Sequence, residues 1–281
     1  MQVQLAHKHN GENFINGLYS RKFDGKRMYV ENGVAYSRQE KPCNVPPIAH
    51  ILEQLPVING VVWDGEVIYL DNNYNDDFKK TVSCTQAKNR KPDCDNLYYI
   101  IFDNANSNKP FIEEYTEIMQ LLEAYPIAGR FDLLKTKYPN ILIARQNGTL
   151  DSLQAMEQAK TFEGYMYRNG DAIYKHARTK SLLKIKAWLD GEFTIKAFEQ
   201  GQGKYVDTLG AIVINYNGNT VNVGTGLLDG ERAFIWANRS KLIGKRCKVK
   251  YFQEENKSLR FPVFLAILET DNTEIELGGN L

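Results

Sequence analysis

Cysteine is scarce in this 281-residue chain: four residues, at positions 43, 84, 94 and 247, with no C-x-x-C pair among them. Such spacing supports neither a zinc ribbon nor a disulfide framework, so four reduced thiols are expected. Of the four histidines only His7 and His9 stand close together, and without a third ligand they read as polar surface rather than a metal site. No apolar run approaches the length that crosses a bilayer, and the opening MQVQLAHKHNGENF lacks the charged-then-apolar layout of a secretory leader. These absences predict a cytoplasmic protein without membrane contact. Neither sign of charge dominates: 35 Lys and Arg against 34 Asp and Glu leave +1, which does not announce a nucleic-acid binder. Internal repeats and low-complexity tracts are missing as well.

What is present is the composition of an ordinary folded protein, 43% hydrophobic and 25% charged, long enough for two modest domains. Charge is unevenly distributed. KLIGKRCKVK (241–250) and FKKTVSCTQAKNRKP (78–92) each hold five basic residues and no acid, whereas EEYTE and the tail segment ETDNTEIE concentrate negative charge. Each basic run reads either as a solvated face or as a phosphate-contacting surface.

From Leu18 to Tyr36, apolar and polar residues alternate on either side of Asp-Gly and Asn-Gly pairs, the pattern of short antiparallel strands joined by tight turns. VINGVVWDGEVIYL (57–70) reads as another strand pair, and NLYYIIFD (96–103) as a strand buried on both faces. FIEEYTEIMQLLEAY (111–125) and TLDSLQAMEQAK (149–160) carry apolar residues at helical spacing. After KAWLDGEF the texture changes to strands and glycine-rich turns, in EFTIKAF, LGAIVINYNGNTVNVG, KRCKVKYF and FPVFLAIL. The predicted fold is therefore α+β: a mixed, mainly antiparallel domain over 1–189, then an all-β barrel over 190–281. LDGE serves as a flexible link between them.

Lys22 begins KFDGKR, and a Lys-x-Asp-Gly string is short enough to arise by chance. Other segments follow it in order: YSR (36–38), WDGE (63–66), YYIIFD (98–103), FEGYM (162–166) and LLKIK (182–186). Together they resemble the nucleophile motif and the later motifs of the ATP-dependent DNA ligases, within the covalent nucleotidyltransferase superfamily. GQGKY, VGTGLLDGER and RFPVF resemble the oligonucleotide-binding (OB) domain of the small two-domain ligases. The resemblance implies an adenylation (nucleotidyltransferase) domain followed by an OB fold, with ATP and Mg²⁺ as cofactors and Mn²⁺ as a substitute. It further implies a monomer that closes as a clamp around nicked double-stranded DNA.

By the same resemblance, Lys22 becomes adenylated, AMP passes to the 5′-phosphate of a nick, and the 3′-hydroxyl displaces AMP. Glu163 is expected to hold the metal, with Glu66 near the metal and ribose, since hard divalent ions take carboxylate oxygens. Arg27 is expected at the ribose hydroxyls, Phe102 on the adenine face and Ser20 where a side chain reads the base. Arg38 would grip the nick 5′-phosphate with its planar guanidinium, and Asp24 would assist sealing near the 3′ end. The chemistry explains the lysines of LLKIK. An amine must be neutral to attack phosphorus, and at an ordinary pKa only about one lysine in two thousand is neutral at pH 7. Lys184, Lys186, Arg27 and Mg²⁺ would crowd Lys22 with positive charge and favour the free amine.

Each residue also has a plainer reading: the glutamates as strand-end residues, Phe102 as core, the two lysines as an exposed face alternating with Ile185. An mRNA-capping-type guanylyltransferase, which shares the nucleophile motif, and an inactive nucleic-acid-binding relative are the alternatives. The chain departs from the family near its end, where FPVFLAILE has Leu268 in place of an expected arginine. Arg260, Lys248 or Lys250 would then orient the outer phosphates of ATP. Gln39 and Tyr165 also differ from the common residues, without removing a reactive group.

Overall fold

The structure, a computed structural model, describes all residues except 44, 90, 158–161, 187, 256 and 269–281; the ETDNTEIE tail and the end of the 149–160 helix fall outside them. The chain divides into two compact units, Met1–Lys186 and Ala187–Leu281.

The first unit is built on a seven-stranded sheet in the order Val34–Ser37, Lys26–Glu31, Val62–Tyr69, Leu97–Asn104, Ile141–Ala144, Leu133–Lys135, Tyr125–Pro126. Every neighbouring pair is antiparallel except Leu97–Asn104 with Ile141–Ala144. A second, four-stranded sheet runs Leu5–Lys8, Arg178–Ile185, Tyr165–Asn169, Gly17–Arg21. The two-residue period of the central strands sends their side chains to opposite faces. Val67, Tyr69, Tyr99 and Ile101 pack with Ile48, Ile51, Phe111, Tyr115 and Ile118, which come from helices Pro46–Leu52 and Phe111–Leu121. Each such buried aliphatic or aromatic side chain contributes about 1.5–3 kcal/mol. Ile68, Leu70, Ile100 and Phe102 lie on the other face, with Phe23. Glu66 shares the parity of Ile68 and Leu70, so the strand that builds the core also delivers a carboxylate to the opposite side.

The two Asp-Gly pairs of the first unit, Asp24-Gly25 and Asp64-Gly65, are not hairpin turns. Gly17–Arg21 pairs with Tyr165–Asn169, and Lys26–Glu31 with Val62–Tyr69, so Asp24-Gly25 carries the chain from one sheet to the other. Asp64-Gly65 lies within the single eight-residue strand Val62–Tyr69, at an irregularity against Leu97–Asn104. Residues 57–70 therefore hold one strand, not two. Asn32-Gly33 does form a hairpin, both residues at positive φ (49° and 77°).

Cys84 and Cys94 are joined in a disulfide, which corrects the expectation of four free thiols. Cys84 lies in the last turn of the helix Phe78–Thr85, and Cys94 in the short turn Pro92–Cys94 that brings the chain back to it, 5.5 Å between α-carbons. A ten-residue spacing matches no short cysteine motif, and only the reversal of the chain brings the two thiols together. Cys43 and Cys247 are free.

The second unit is a five-stranded antiparallel sheet, Asn219–Val223, Leu209–Tyr216, Leu189–Gln200, Arg246–Tyr251, Val263–Leu268. A short hairpin, Gln253–Glu255 with Ser258–Arg260, accompanies it. The helix Asp229–Leu242, absent from the sequence reading, buries Ile235 and Leu242 in its core. LDGE is not a flexible link: it opens the strand Leu189–Gln200, and Asp190 is registered with Lys250. Among the described residues, no helix is long and apolar enough to cross a membrane.

Candidate active site

A cavity of about 230 Å³ lies in the first unit, lined from the four-stranded sheet by Ser20, Arg21, Lys22 and Lys184 and from the seven-stranded sheet by Arg27, Glu66 and Phe102. Glu66 is its acidic lining residue, against Arg38, Arg168 and Arg178 besides the cations just named. A polyanion suits such a wall.

Lys22 follows the last residue of Gly17–Arg21, and its backbone N–H donates to the Gly164 carbonyl at 2.8 Å. This bond ties KFDG to FEGYM. Gly164 has φ +131°, and a Cβ there would collide with the Ile185 carbonyl and, at 2.9 Å, with Lys186 Cα. The glycine thus lets the FEGYM and LLKIK segments approach. Gly25 serves a similar purpose: a Cβ would strike the Val67 carbonyl and stand 2.7 Å from Glu66 Cγ. The Asp-Gly pair is required here by close packing against the strand of Glu66.

The Lys22 amine makes an ion pair with Glu163 Oε2, and Lys186 Nζ stands 3.4 Å from Oε1 of the same carboxylate. Both side chains are largely but not wholly buried, Lys22 at 24% exposure and Glu163 at 10%. The crowd of cations expected around Lys22 is therefore present with an anion at its centre, and Glu163 is the group in contact with the amine. Burial lowers the pKa of Lys184, and Lys186, Arg178 and Lys22 lower it further. Burial pushes the Glu66 carboxyl up to about 7; Lys22 and Arg27 act against this, while Glu163 adds to it.

Arg27 grips Asp64 through Nε at 2.6 Å and Nη2 at 2.5 Å, and its guanidinium lies 4.5 Å from the centre of the Phe102 ring. Burial opposes its charge, but Asp64 outweighs burial and raises its pKa. Tyr174 donates to the same carboxylate at 2.6 Å. Arg168, paired with the buried Asp103, closes this side of the cavity.

Of the residues expected from sequence, Ser20, Lys22, Arg27, Arg38, Glu66, Phe102 and Lys184 line the cavity together. Glu163 and Lys186 join them through the Lys22 ion pair. Ser20 is buried and Arg38 exposed at the rim. Asp24 is half-buried and does not contribute to the lining. The sequence reading missed Arg21, Arg168, Arg178 and Tyr174. Asp64 and Arg168 stand within or next to the quoted segments WDGE and FEGYM, and that adjacency was the available signal.

Glu66 and Glu163 are near enough to affect one another electrostatically. Among the described residues no group of three or more His, Cys, Asp and Glu forms a metal cluster. Two carboxylates are a fitting donor set for Mg²⁺, which keeps water and takes phosphate oxygens instead of filling an all-protein cage.

A lysine held on a carboxylate, beside a cavity whose charged lining is cationic but for Glu66, fits an enzyme that handles nucleotide phosphates. The chain belongs to the ATP-dependent DNA ligase family: the model described as ATP dependent DNA ligase domain matches residues 4–186, and that of the DNA ligase OB-like domain matches 200–267. It is accordingly a phosphodiester-forming ligase that uses ATP to seal nicks in DNA, and the capping-type alternative is not favoured. A DNA ligase of Haemophilus influenzae is 23% identical over 234 residues, 82% of this chain and 80% of that protein. A solved Lig E DNA ligase superposes with a TM-score of 0.74 at 22% identity, covering 95% of this chain and 99% of that one. Mycobacterial DNA ligase D complexed with ATP and MES has a TM-score of 0.52 at 17% identity, covering 96% and 95%.

Proposed function

We propose that Lys22 is the residue that carries the nucleotide. Its Nζ, having given up a proton to solvent and turned from Glu163, attacks the α-phosphorus of ATP; an N–P bond forms, the bond to the β-phosphate oxygen breaks, and pyrophosphate leaves. A 5′-phosphate oxygen at a nick then attacks that phosphorus, breaking the N–P bond and regenerating the amine. The 3′-hydroxyl loses its proton and attacks the 5′-phosphate, and AMP departs as the phosphodiester closes. The meeting of Lys22, Lys184 and Glu66 in one cavity, with Glu163 paired to Lys22 and Lys186 to Glu163, carries this reading.

In this scheme Lys184 and Lys186 face the charge that develops on the phosphate, where fixed cations act most strongly in a water-poor site. Mg²⁺, with Glu163 and Glu66 as its protein donors, supplies Lewis-acid stabilisation of phosphate oxygens when bound. Arg27, locked by Asp64, presents a fixed donor edge to the ribose, and Phe102 and Ser20 flank the base. Arg38 at the rim takes the 5′-phosphate of the nick, and Asp24 acts near the 3′ end. Leu268 is 4% exposed in the strand Val263–Leu268, so it offers no cation to ATP. Arg38, Arg178 and Lys184, already in the cavity wall, can meet the outer phosphates instead.

Nicked duplex is the proposed DNA form, held by a monomer using both units as a clamp. Affinity should then fall steeply with salt because phosphate contacts release counterions; a flat response contradicts the clamp. Cytoplasmic residence, predicted from the sequence, conflicts with the Cys84–Cys94 bond, since cytosolic thiol pools keep such pairs reduced. Alkylation of the protein taken from its source cell decides between them.

The test is sealing of a labelled nicked duplex with ATP and Mg²⁺. Wild-type protein should join the strands and Lys22→Ala should not; joining by the variant would overturn the assignment.

A further inference from the structure

The residue before the proposed nucleophile is an arginine that the reaction scheme does not use. Arg21 is 2% exposed, among the largest fully buried side chains of the molecule. Its Nη2 donates to Asp76 Oδ1 at 2.6 Å and its Nη1 to Asp132 Oδ2 at 3.0 Å. Asp132 is itself clamped by Arg130, through Nε at 2.8 Å and Nη2 at 2.6 Å, and Arg130 also donates to the carbonyls of Asn73 and Tyr74. The Arg21 guanidinium carbon stands over two rings, 4.2 Å from the centre of Phe162 and 5.0 Å from that of Phe23. Its Nε is buried without a hydrogen-bond partner.

Those partners matter because of what adjoins them. Phe162 immediately precedes Glu163, the carboxylate on the Lys22 amine, and Phe23 immediately follows Lys22. Arg21 is registered opposite Tyr165, which lies on the far side of Gly164, the acceptor of the Lys22 backbone N–H. One guanidinium therefore lies against the neighbour of each member of the Lys22–Glu163 pair, while two carboxylates, the buried Asp132 and the half-buried Asp76, hold it in place. A buried cation with an unmatched N–H is costly to keep for stability alone, since well-packed apolar residues do as well or better there. A planar group over aromatic rings combined with two-sided ion pairing is also what guanidinium offers and ammonium does not.

We infer that Arg21 is a positioning residue that sets the Lys22 amine against Glu163 and the incoming α-phosphate, with the Asp76, Asp132 and Arg130 network as its anchor. The inference rests on the assignment of Lys22. Displacing a reacting group by about 1 Å can cost on the order of a hundredfold in rate without weakening ground-state binding. Arg21→Lys keeps the charge but loses the planar group over the two rings and one carboxylate.

The experiment is single-turnover adenylation of the full chain with labelled ATP over a range of ATP concentrations, for wild type, Arg21→Lys, Phe162→Leu and Lys22→Ala. A structural defect reduces the fraction of competent molecules, seen as the final amplitude, and leaves the rate constant of the rest unchanged. A positioning defect leaves the amplitude and slows the rate. Arg21→Lys is expected to reach near wild-type amplitude and half-saturating ATP, with a saturated rate constant lower by about tenfold or more. An unchanged rate constant, or a loss confined to ATP affinity, overturns the inference. If Arg21→Lys does not fold, Phe162→Leu, which leaves the ion pairs in place, decides on the same criterion. Adenylation of Lys22→Ala at the wild-type rate would instead refute the nucleophile assignment, a result separable from the behaviour of Arg21.

Discussion

The two faces of the seven-stranded sheet are made by the same strands, yet one is apolar throughout its packed region and the other mixes apolar residues with the charged wall of the cavity. Toward the helices, Val67, Tyr69, Tyr99 and Ile101 form a dry core in which Tyr99 donates to the carbonyls of Met28 and Trp63 at 3.0 and 2.9 Å. Toward the cavity, one residue out of step, stand Glu66 and Phe102, with Arg27 on the neighbouring strand. The helix-covered face holds the larger apolar cluster, while the other face combines a smaller one, around Ile68, Leu70 and Ile100, with the charged residues of the cavity. This division explains how the first unit tolerates Glu66 in its cavity wall: the strand presenting it is already fixed from behind.

The difference between the two faces is greatest at Lys22. Lys22→Ala is expected to abolish retention of label from ATP while leaving the thermal unfolding midpoint nearly unchanged, because Lys186 remains beside Glu163 to offset its charge. Ile101→Ala should do the reverse. A fully buried Ile truncated to Ala costs about 2–5 kcal/mol, measured by urea unfolding, while the rate constant of the molecules that remain folded stays near wild type. Cys84→Ser removes the clip behind the sheet. By loop-closure reasoning it should cost about 2–3 kcal/mol, equally visible when wild type is unfolded in a reductant.

The smallest expected effect concerns Glu66. Its folded-state pKa, about 7, lies above the unfolded value, so the folded protein binds the extra proton between them. The stability associated with that proton is fully present below the unfolded pKa and is lost as pH rises through about 7. Glu66→Gln cannot ionise, so its stability should be flatter over this window and should exceed that of wild type above it. Denaturant melts at pH 5 and pH 8 measure the difference, and parallel pH dependence in the two proteins would contradict the burial argument.

Local chemistry was legible in the sequence wherever it acted alone. Asn32-Gly33 needs positive φ at both residues and formed the hairpin expected of it. The helix Phe111–Leu121 followed from the spacing of Phe111, Tyr115, Met119 and Leu122, and the structure adds Ile118 to its buried side. Asp24-Gly25 was misread because a turn signal does not say which sheet the chain enters next, and the reason for the glycine, contact with Val67 and Glu66, lies 41 residues or more away. The helix Asp229–Leu242 escaped notice because its buried face is made of Arg232, Ile235 and Leu242, too sparse and too polar for an apolar period. The candidate site was legible as an ordered set of short segments. Its second layer was not: Arg21, Asp76 and Asp132 are far apart in the chain, and only folding joins them.

Peptide mass spectrometry of the purified protein after incubation with ATP and Mg²⁺ tests the central claim most directly. One added AMP on the peptide containing Lys22, lost on mild acid treatment as an N–P bond should be, is the expected result. AMP on another residue, or none on protein that seals nicks, would contradict it.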